Sequence, residues 1–318
     1  MTNKRKLVQV LIGIAILALL FYKIDIHDVI AAIRSVNIWL FVAAACSYFC
    51  YNLFMAYRLY YLLDRLGNKV RFRHSFFAHF AGMIASDVTP GRAGFFLVPY
   101  FLKNRTNCSL SVGMAAILAP QGIEFILKVA GGFIGLVFFI TAVSMNLSTN
   151  VLMSLCISGA IFGGLGVVML WILWTDESLS SRVVAKIPYI KKFNEGFMDM
   201  KAKSILIRDS IPIILIIYFI CWLFLAFQWQ LIGLSLGITG LSFLAYFLLH
   251  PLITLIRFVP ATVSGLGLME GTTALMFHLL GIPNGMAIGL SFALVVRLNM
   301  ILVNCIGLKG VFSGLAHK

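Results

Sequence analysis

Six apolar stretches, at about 7–23, 36–63, 110–143, 150–174, 209–232 and 284–308, recur along this 318-residue chain. Each is at or above the lower length, roughly 17 residues, that a helix needs to cross a bilayer. With no water in the hydrocarbon core, the backbone polar groups of such a stretch must be satisfied within it, so these stretches are helices that cross. Composition points the same way, with 61% of residues hydrophobic and 11% charged, against about a quarter charged in a typical soluble domain. The chain is therefore expected to be an all-α polytopic membrane protein. The run from Leu7 to Tyr22 behind Lys4, Arg5 and Lys6 resembles a secretory signal, but it leads into Lys23-Ile24-Asp25 with no small-residue cleavage site. It is read as an uncleaved first span.

Two further apolar regions, 75–102 and 241–280, are each broken midway, by Thr89-Pro90-Gly91-Arg92-Ala93-Gly94 and by a segment running from Pro260 to Gly265-Leu266-Gly267. Proline interrupts the helical ladder and glycine tolerates the unwound turn. Broken backbone at membrane depth is sustained only where protein or a watery cavity satisfies it. The breaks therefore predict two re-entrant helical hairpins whose tips meet inside the bundle, with a pair of kinked spans as the plainer alternative. Pro90, Gly91, Gly94, Pro260, Gly265 and Gly267 mark these breaks.

Charge orients the arrangement. If both termini face the cytoplasm and each hairpin enters and leaves by one side, the basic segments 4–6, 65–73, 103–105, 182–208 and 309–318 all lie inside, and only Lys23 and Arg34 lie outside. This satisfies the positive-inside rule, and the membrane is expected to be the plasma (inner) membrane. The net charge of +14 is then mostly topology, with attraction to anionic lipid added, and calls for no nucleic acid. The order helix, helix, hairpin, helix occurs over 7–143 and again over 150–308, first starting inside and then outside. One membrane domain, 1–318, would thus contain an inverted repeat, with a cytoplasmic interfacial loop at 175–208. Gly94 and Gly267 stand 173 positions apart, as do Glu124 and Arg297. Inverted repeats with discontinuous helices near the midplane are how many secondary transporters build an alternating-access site.

The apolar zones contain five cations, Arg58, Arg92, Lys128, Arg257 and Arg297, and three carboxylates, Asp87, Glu124 and Glu270. Each costs a few kcal/mol there and should pair or line a polar cavity. The surplus cations suit a phosphate group, because guanidinium presents a bidentate fork to its oxygens. Arg92 lies in the first break, where freed amides also favour an anion. Arg58, near the cytoplasmic end of its helix, can join such a site or simply snorkel. Glu124 and Lys128, four residues apart on one helix face, can form a site or neutralise each other. Glu270 opens the half-helix after the second break, where capping alone would suit a carboxylate. Arg297 has no local acid and needs a distant partner, Glu124 or Glu270.

Other signals are bland. The six cysteines have no zinc-like spacing and read as buried small hydrophobes. His79, His250 and His278 read as neutral buried histidines with a hydrogen bond rather than metal ligands. The Gly265-x-Gly267-x-x-x-Gly271 run lacks a preceding strand and is not a dinucleotide loop. Gly131 and Gly135, Gly159 and Gly163, and Gly281, Gly285 and Gly289 have the spacing of close helix packing. No metal or cofactor is expected.

With these residues in view the sequence resembles the lysylphosphatidylglycerol synthase transmembrane-region family, also described as flippase-like. The resemblance rests on Arg58, Pro90-Gly91-Arg92-Ala93-Gly94, Glu124, the Pro260 to Gly265-Leu266-Gly267-Leu268-Met269-Glu270 break, and Arg297. It covers essentially the whole chain. Phe95 and Val98 stand where the family commonly has an acid and an Arg, and Lys128 where an Asp is common. The resemblance implies movement of a lipid, or of a lipid-linked precursor, between leaflets. The soluble synthase domain of two-domain members is not expected here.

The sequence thus predicts a transporter, not an enzyme, that takes the phosphate head group of an anionic phospholipid or polyprenyl-phosphate-linked lipid at the hairpin tips. Arg92, Arg257, Arg297 and Arg58 would bind the head group. Glu124, Glu270, Asp87 and Lys128 would organise the arginines or exchange a proton. The alternative is a membrane enzyme or accessory subunit in polyprenyl-phosphate sugar or aminoacyl-lipid metabolism. A separate synthase or glycosyltransferase, and a second copy of the chain, are the protein partners considered.

Overall fold

The computed structural model describes residues 26–142, 149–175, 194–254 and 262–310. Among these the chain is helical, with α1 at Ile26–Arg34, α2 at Ile38–Arg65, α3 at Phe72–Asp87, α4 at Val98–Lys103, α5 at Leu110–Thr141, α6 at Thr149–Trp174, α7 at Asn194–Leu206, α8 at Ile211–Ser235, α9 at Phe243–Thr254, α10 at Leu268–Leu279 and α11 at Gly285–Asn304. Five helical stretches are long and apolar enough to cross a membrane: Ile38–Arg65, Leu110–Thr141, Leu155–Trp174, Arg208–Ser235 and Gly285–Gly310. They fall on five of the six expected spans, and the sixth, 7–23, lies outside the described residues.

Capping, which hydropathy does not register, sets the helix ends. The Asn37 carboxamide accepts the Trp39 and Leu40 amides at 2.9 and 3.3 Å, so α2 starts at Ile38. Ser109 accepts the Val112 amide at 3.3 Å and starts α5. These bonds satisfy first-turn donors that have no intrahelical partner. At the far end of α2, Gly67 takes φ +78, its amide donates to Asp64 and the Asn68 amide to Leu63. That is the Schellman arrangement, which turns the chain sharply out of the helix.

The outer surface is one that water would not tolerate. Ile157, Ile161, Leu165 and Val168 of α6 and Phe133, Ile134 and Val137 of α5 are exposed, a continuous apolar face that needs lipid around it. Inside, α2 packs along α8, α10 along α11, and α5 lies between α6 and α9. One apolar cluster gathers Tyr48, Phe80, Trp229, Tyr246, Phe277 and Phe292; a second gathers Leu59, Leu62, Val98, Ile117, Ile207 and Ile214. Buried polar groups join the helices: Gln228 of α8 donates to Asn299 of α11 at 2.9 Å, and Asn299 donates to the Phe41 carbonyl of α2 at 2.9 Å. Such bonds hold helices together where no hydrophobic drive separates them from lipid.

Both broken regions are helix, break, helix. The first runs α3, a 3₁₀ turn at Ala93–Leu97, then α4. The second runs α9, the undescribed residues 255–261, a turn from Thr262, then α10. Of the 175–208 segment, the described part contains α7, which packs against α5 and α6. The Trp174 indole donates to the Ser204 carbonyl at 3.0 Å and the Arg208 guanidinium stands over the Trp174 ring, so this part is tied to the bundle.

Gly131 and Gly135 are packing residues: a Cβ at Gly135 would stand 2.7 Å from the Leu248 carbonyl oxygen. Gly159 and Gly163 are not, because a Cβ there would meet only Val129 at ordinary contact distance. They border an apolar groove of about 380 Å³ between α5 and α6.

Candidate functional site

The two breaks meet. Pro90 and Val263 form an antiparallel bridge, and the Ser264 amide donates to the Thr89 carbonyl at 3.1 Å. Each tip turns through two consecutive left-handed residues: Gly91 and Arg92 at φ 55 and 57, Ser264 and Gly265 at φ 48 and 69. Arg92 and Ser264 carry a Cβ, so this conformation is strained and persists only because its surroundings fix it. In the first tip the Thr89 hydroxyl does the fixing, accepting the Gly94 amide at 2.7 Å and donating to the Ala85 carbonyl at 2.9 Å. Gly94 lies so close to α3 that a Cβ would stand 2.3 Å from the Ala85 carbonyl. Pro90 and Val263 are separated by the same 173 positions as Gly94 and Gly267.

The second tip is closed by charge. Fully buried Glu270 (0% exposed) accepts the Gly267 amide on Oε2 at 2.8 Å and the Arg297 Nε on Oε1 at 2.5 Å. Arg297 also donates to the Ser264 carbonyl at 3.4 Å. The distant partner of Arg297 is thus Glu270 and not Glu124, and the pair ties α11 to the backbone of the tip.

The first tip is open. Arg92 approaches Asp87 at 3.9 Å and the Met83 sulfur at 3.7 Å, the former at the edge of ion-pair range. Asp87 is held instead by the Asn304 amide at 2.7 Å. Arg92 lines a cavity of about 110 Å³ together with Glu124, Lys128 and Gln121 of α5, Tyr48 and Tyr51 of α2, and His250 and Thr254 of α9. Lys128 pairs with Glu124 at 2.7 Å, and Gln121 donates to the other Glu124 oxygen at 3.3 Å. The Tyr48 and Tyr51 rings stack at 5.4 Å. The Thr254 hydroxyl is buried with no hydrogen-bond partner among the described residues. A smaller adjoining pocket shares Glu124 and Lys128 and adds Tyr218, Cys221 and Trp222. Two cations, one of them paired with Glu124, a hydroxyl and an aromatic wall around one space suit an anionic group.

Arg58 does not snorkel. It is 2% exposed, stands 5.0 Å over the Tyr218 ring and donates to its hydroxyl, which donates in turn to the Pro120 carbonyl at 2.8 Å. Among the described residues Arg58 has no carboxylate within ion-pair range, and it backs the smaller adjoining pocket through Tyr218 without lining either space. The three carboxylates Asp87, Glu124 and Glu270 each face one cation, which leaves Arg58 as the cation beyond that tally among the described ionisable residues of the apolar zones. Arg257 and Pro260 lie outside those residues.

His79 is buried and its Nε2 bonds Asn52 at 3.0 Å, as expected of a core histidine; His250 faces the cavity. His278 is exposed, which corrects the expectation of a buried ring: it ends α10, where the helix leaves the core. Cys46 and Cys156 are likewise exposed and Cys50 and Cys305 half-buried; among the cysteines Cys108 and Cys221 are buried. Their helices turn these positions toward lipid, an apolar environment as acceptable to a thiol as the core. No group of three or more His, Cys, Asp or Glu among the described residues is placed to hold a metal ion. Sequence reasoning missed Tyr48, Tyr51, Gln121, Thr254 and Tyr218. Gln121 and the tyrosines were visible as polar atoms inside apolar spans, but so are many that only bond backbone.

An all-helical membrane domain with two broken helical regions meeting at an ionisable cavity defines the class. The chain belongs to the family described as lysylphosphatidylglycerol synthase TM region, whose model matches residues 6–307. No curated protein and no solved structure matches it.

Proposed function

We propose that the protein is a flippase-like transporter that carries a phosphate-bearing lipid, an anionic phospholipid or a polyprenyl-phosphate-linked lipid, between leaflets of the plasma membrane. In this reading it is a carrier and not an enzyme. The observation that carries the reading is the cavity at the first tip, where the only acid that Arg92 meets among the described residues is Asp87, at 3.9 Å, and Lys128 is the neighbouring cation. An arriving phosphate would take Arg92 as a bidentate partner and draw Lys128 from Glu124, which frees that carboxylate to hold a proton. Arg297 and Glu270 hold the second tip rigid, and Arg58 adds positive potential from behind Tyr218. Arg257 would complete the cationic set.

The reading takes both broken regions as re-entrant hairpins of an inverted repeat, with six spans and both termini in the cytoplasm. Several features support it. The tips bridge through Pro90 and Val263, which occupy equivalent positions of the two halves, and the two left-handed residues that follow each are equivalent as well. The second helices of the halves, α2 and α8, pack on one another. A pseudo-two-fold relation through the tips would produce both features, and rocking one half against the other would expose the cavity to alternate sides.

Leaflet exchange of fluorescent phosphatidylglycerol in proteoliposomes tests this directly. The unaltered protein is expected to exchange the lipid, Arg92→Ala to slow exchange at least tenfold, and Arg92→Lys to fall between, since lysine keeps the charge without the fork. Equal exchange by Arg92→Ala and the unaltered protein would remove the site. A parallel assay with labelled polyprenyl phosphate separates the two lipid classes.

A further inference from the structure

A second concentration of positive charge lies away from the tips, between the α2–α3 turn and the α4–α5 turn. The Schellman turn at Gly67 folds residues 68–71 back, and residues 104–108 close the other side, leaving an open cleft of about 410 Å³. Asn68, Lys69, Arg71, His74, Arg105 and Thr106 line it, and among the described residues no carboxylate does. Helix α3 begins at this cleft, with Arg71 at its N-cap making no side-chain cap bond, so the positive end of a 16-residue helix adds to the cations. Arg105 is fixed in place by the Gly310 carbonyl at 2.7 Å. Partial burial lowers its pKa, with no acid to offset the shift. Topology alone explains why basic residues occur on this face; it does not explain why they surround a cleft with a helix start, a pinned guanidinium and no counter-charge.

We infer that this cleft is a binding site for a phosphate group, separate from the cavity at the tips. Arg71 and Arg105 offer forks to its oxygens, Lys69 a point charge, and Thr106 and Asn68 neutral polar groups at the rim. The phosphate can come from a lipid head group at the membrane surface or from a soluble phosphate ester.

Purified full-length protein in phosphatidylcholine nanodiscs supplies the test, by equilibrium dialysis against radiolabelled inorganic phosphate and by native mass spectrometry of discs doped with phosphatidic acid. Arg71→Gln/Arg105→Gln removes two charges from the cleft, and Arg65→Gln/Arg73→Gln removes two from the same face outside it. Binding at least tenfold weaker in the first variant, with the second near the unaltered protein, supports the site. Loss in the inorganic phosphate arm points to a soluble ester, and loss confined to phosphatidic acid points to a head group. Should the first variant not fold, Lys69→Gln/Arg105→Gln tests the same cleft. No binding in either arm, or equal loss in both charge-removing variants, overturns the inference. Because Arg92→Ala transport is measured separately, the cavity and the cleft can fail independently.

Discussion

Glu270 and Arg297 show what a buried charge costs and what it secures at the scale of single residues. Glu270 is fully buried and the Arg297 side chain is 13% exposed, so the carboxylate depends on the guanidinium to balance its charge. Removing one leaves an uncompensated ion, a loss of about 3–5 kcal/mol, whereas removing both leaves none. Glu270→Gln and Arg297→Met are therefore each expected to lower the thermal midpoint in detergent sharply, and the double variant to recover most of the loss. Additive losses would mean that the pair does not hold the tip. At this scale the sequence was most readable where partners are neighbours. The spacing of Glu124 and Lys128 implied their shared helix face, and the lack of a local acid implied a distant partner for Arg297. The burial of Arg58 was not legible, because its position near a helix end suits snorkelling and Tyr218, the residue that holds it inside, lies on α8.

Among the elements, the long helices were the most legible, since an apolar stretch of bilayer length has few other ways to satisfy its backbone. Their starts were less so, because Asn37 and Ser109 act through single hydrogen bonds that leave no trace in hydropathy. The broken regions could be located from Pro90-Gly91 and Gly265-Leu266-Gly267, but not the pairing of Pro90 with Val263, which depends on how distant elements pack. This pairing can be trapped. In a background lacking the native cysteines, Pro90→Cys/Val263→Cys is expected to cross-link with a short bis-thiol reagent and to stop lipid exchange until reduced. Failure to cross-link, with the protein folded, would mean that the tips do not meet.

For the whole molecule, the distribution of charge links fold to proposed function. In the proposed topology the basic loops face the cytoplasm, the exposed apolar faces of α5 and α6 suit lipid, and among the described residues Asp87 and Arg92 stand at one tip and Glu270 and Arg297 at the other. One tip is locked by Glu270 and Arg297, and the other leaves Arg92 beside a cavity. This asymmetry was not legible in the sequence, where both halves carried acids and bases in similar places. In the proposed function it would direct an anionic guest to one site. Native mass spectrometry of the protein purified with its retained lipids reads that guest directly: an anionic lipid should accompany the unaltered protein and be lost from Arg92→Ala while remaining on Arg73→Gln. Retention by Arg92→Ala at the level of the unaltered protein would contradict the account.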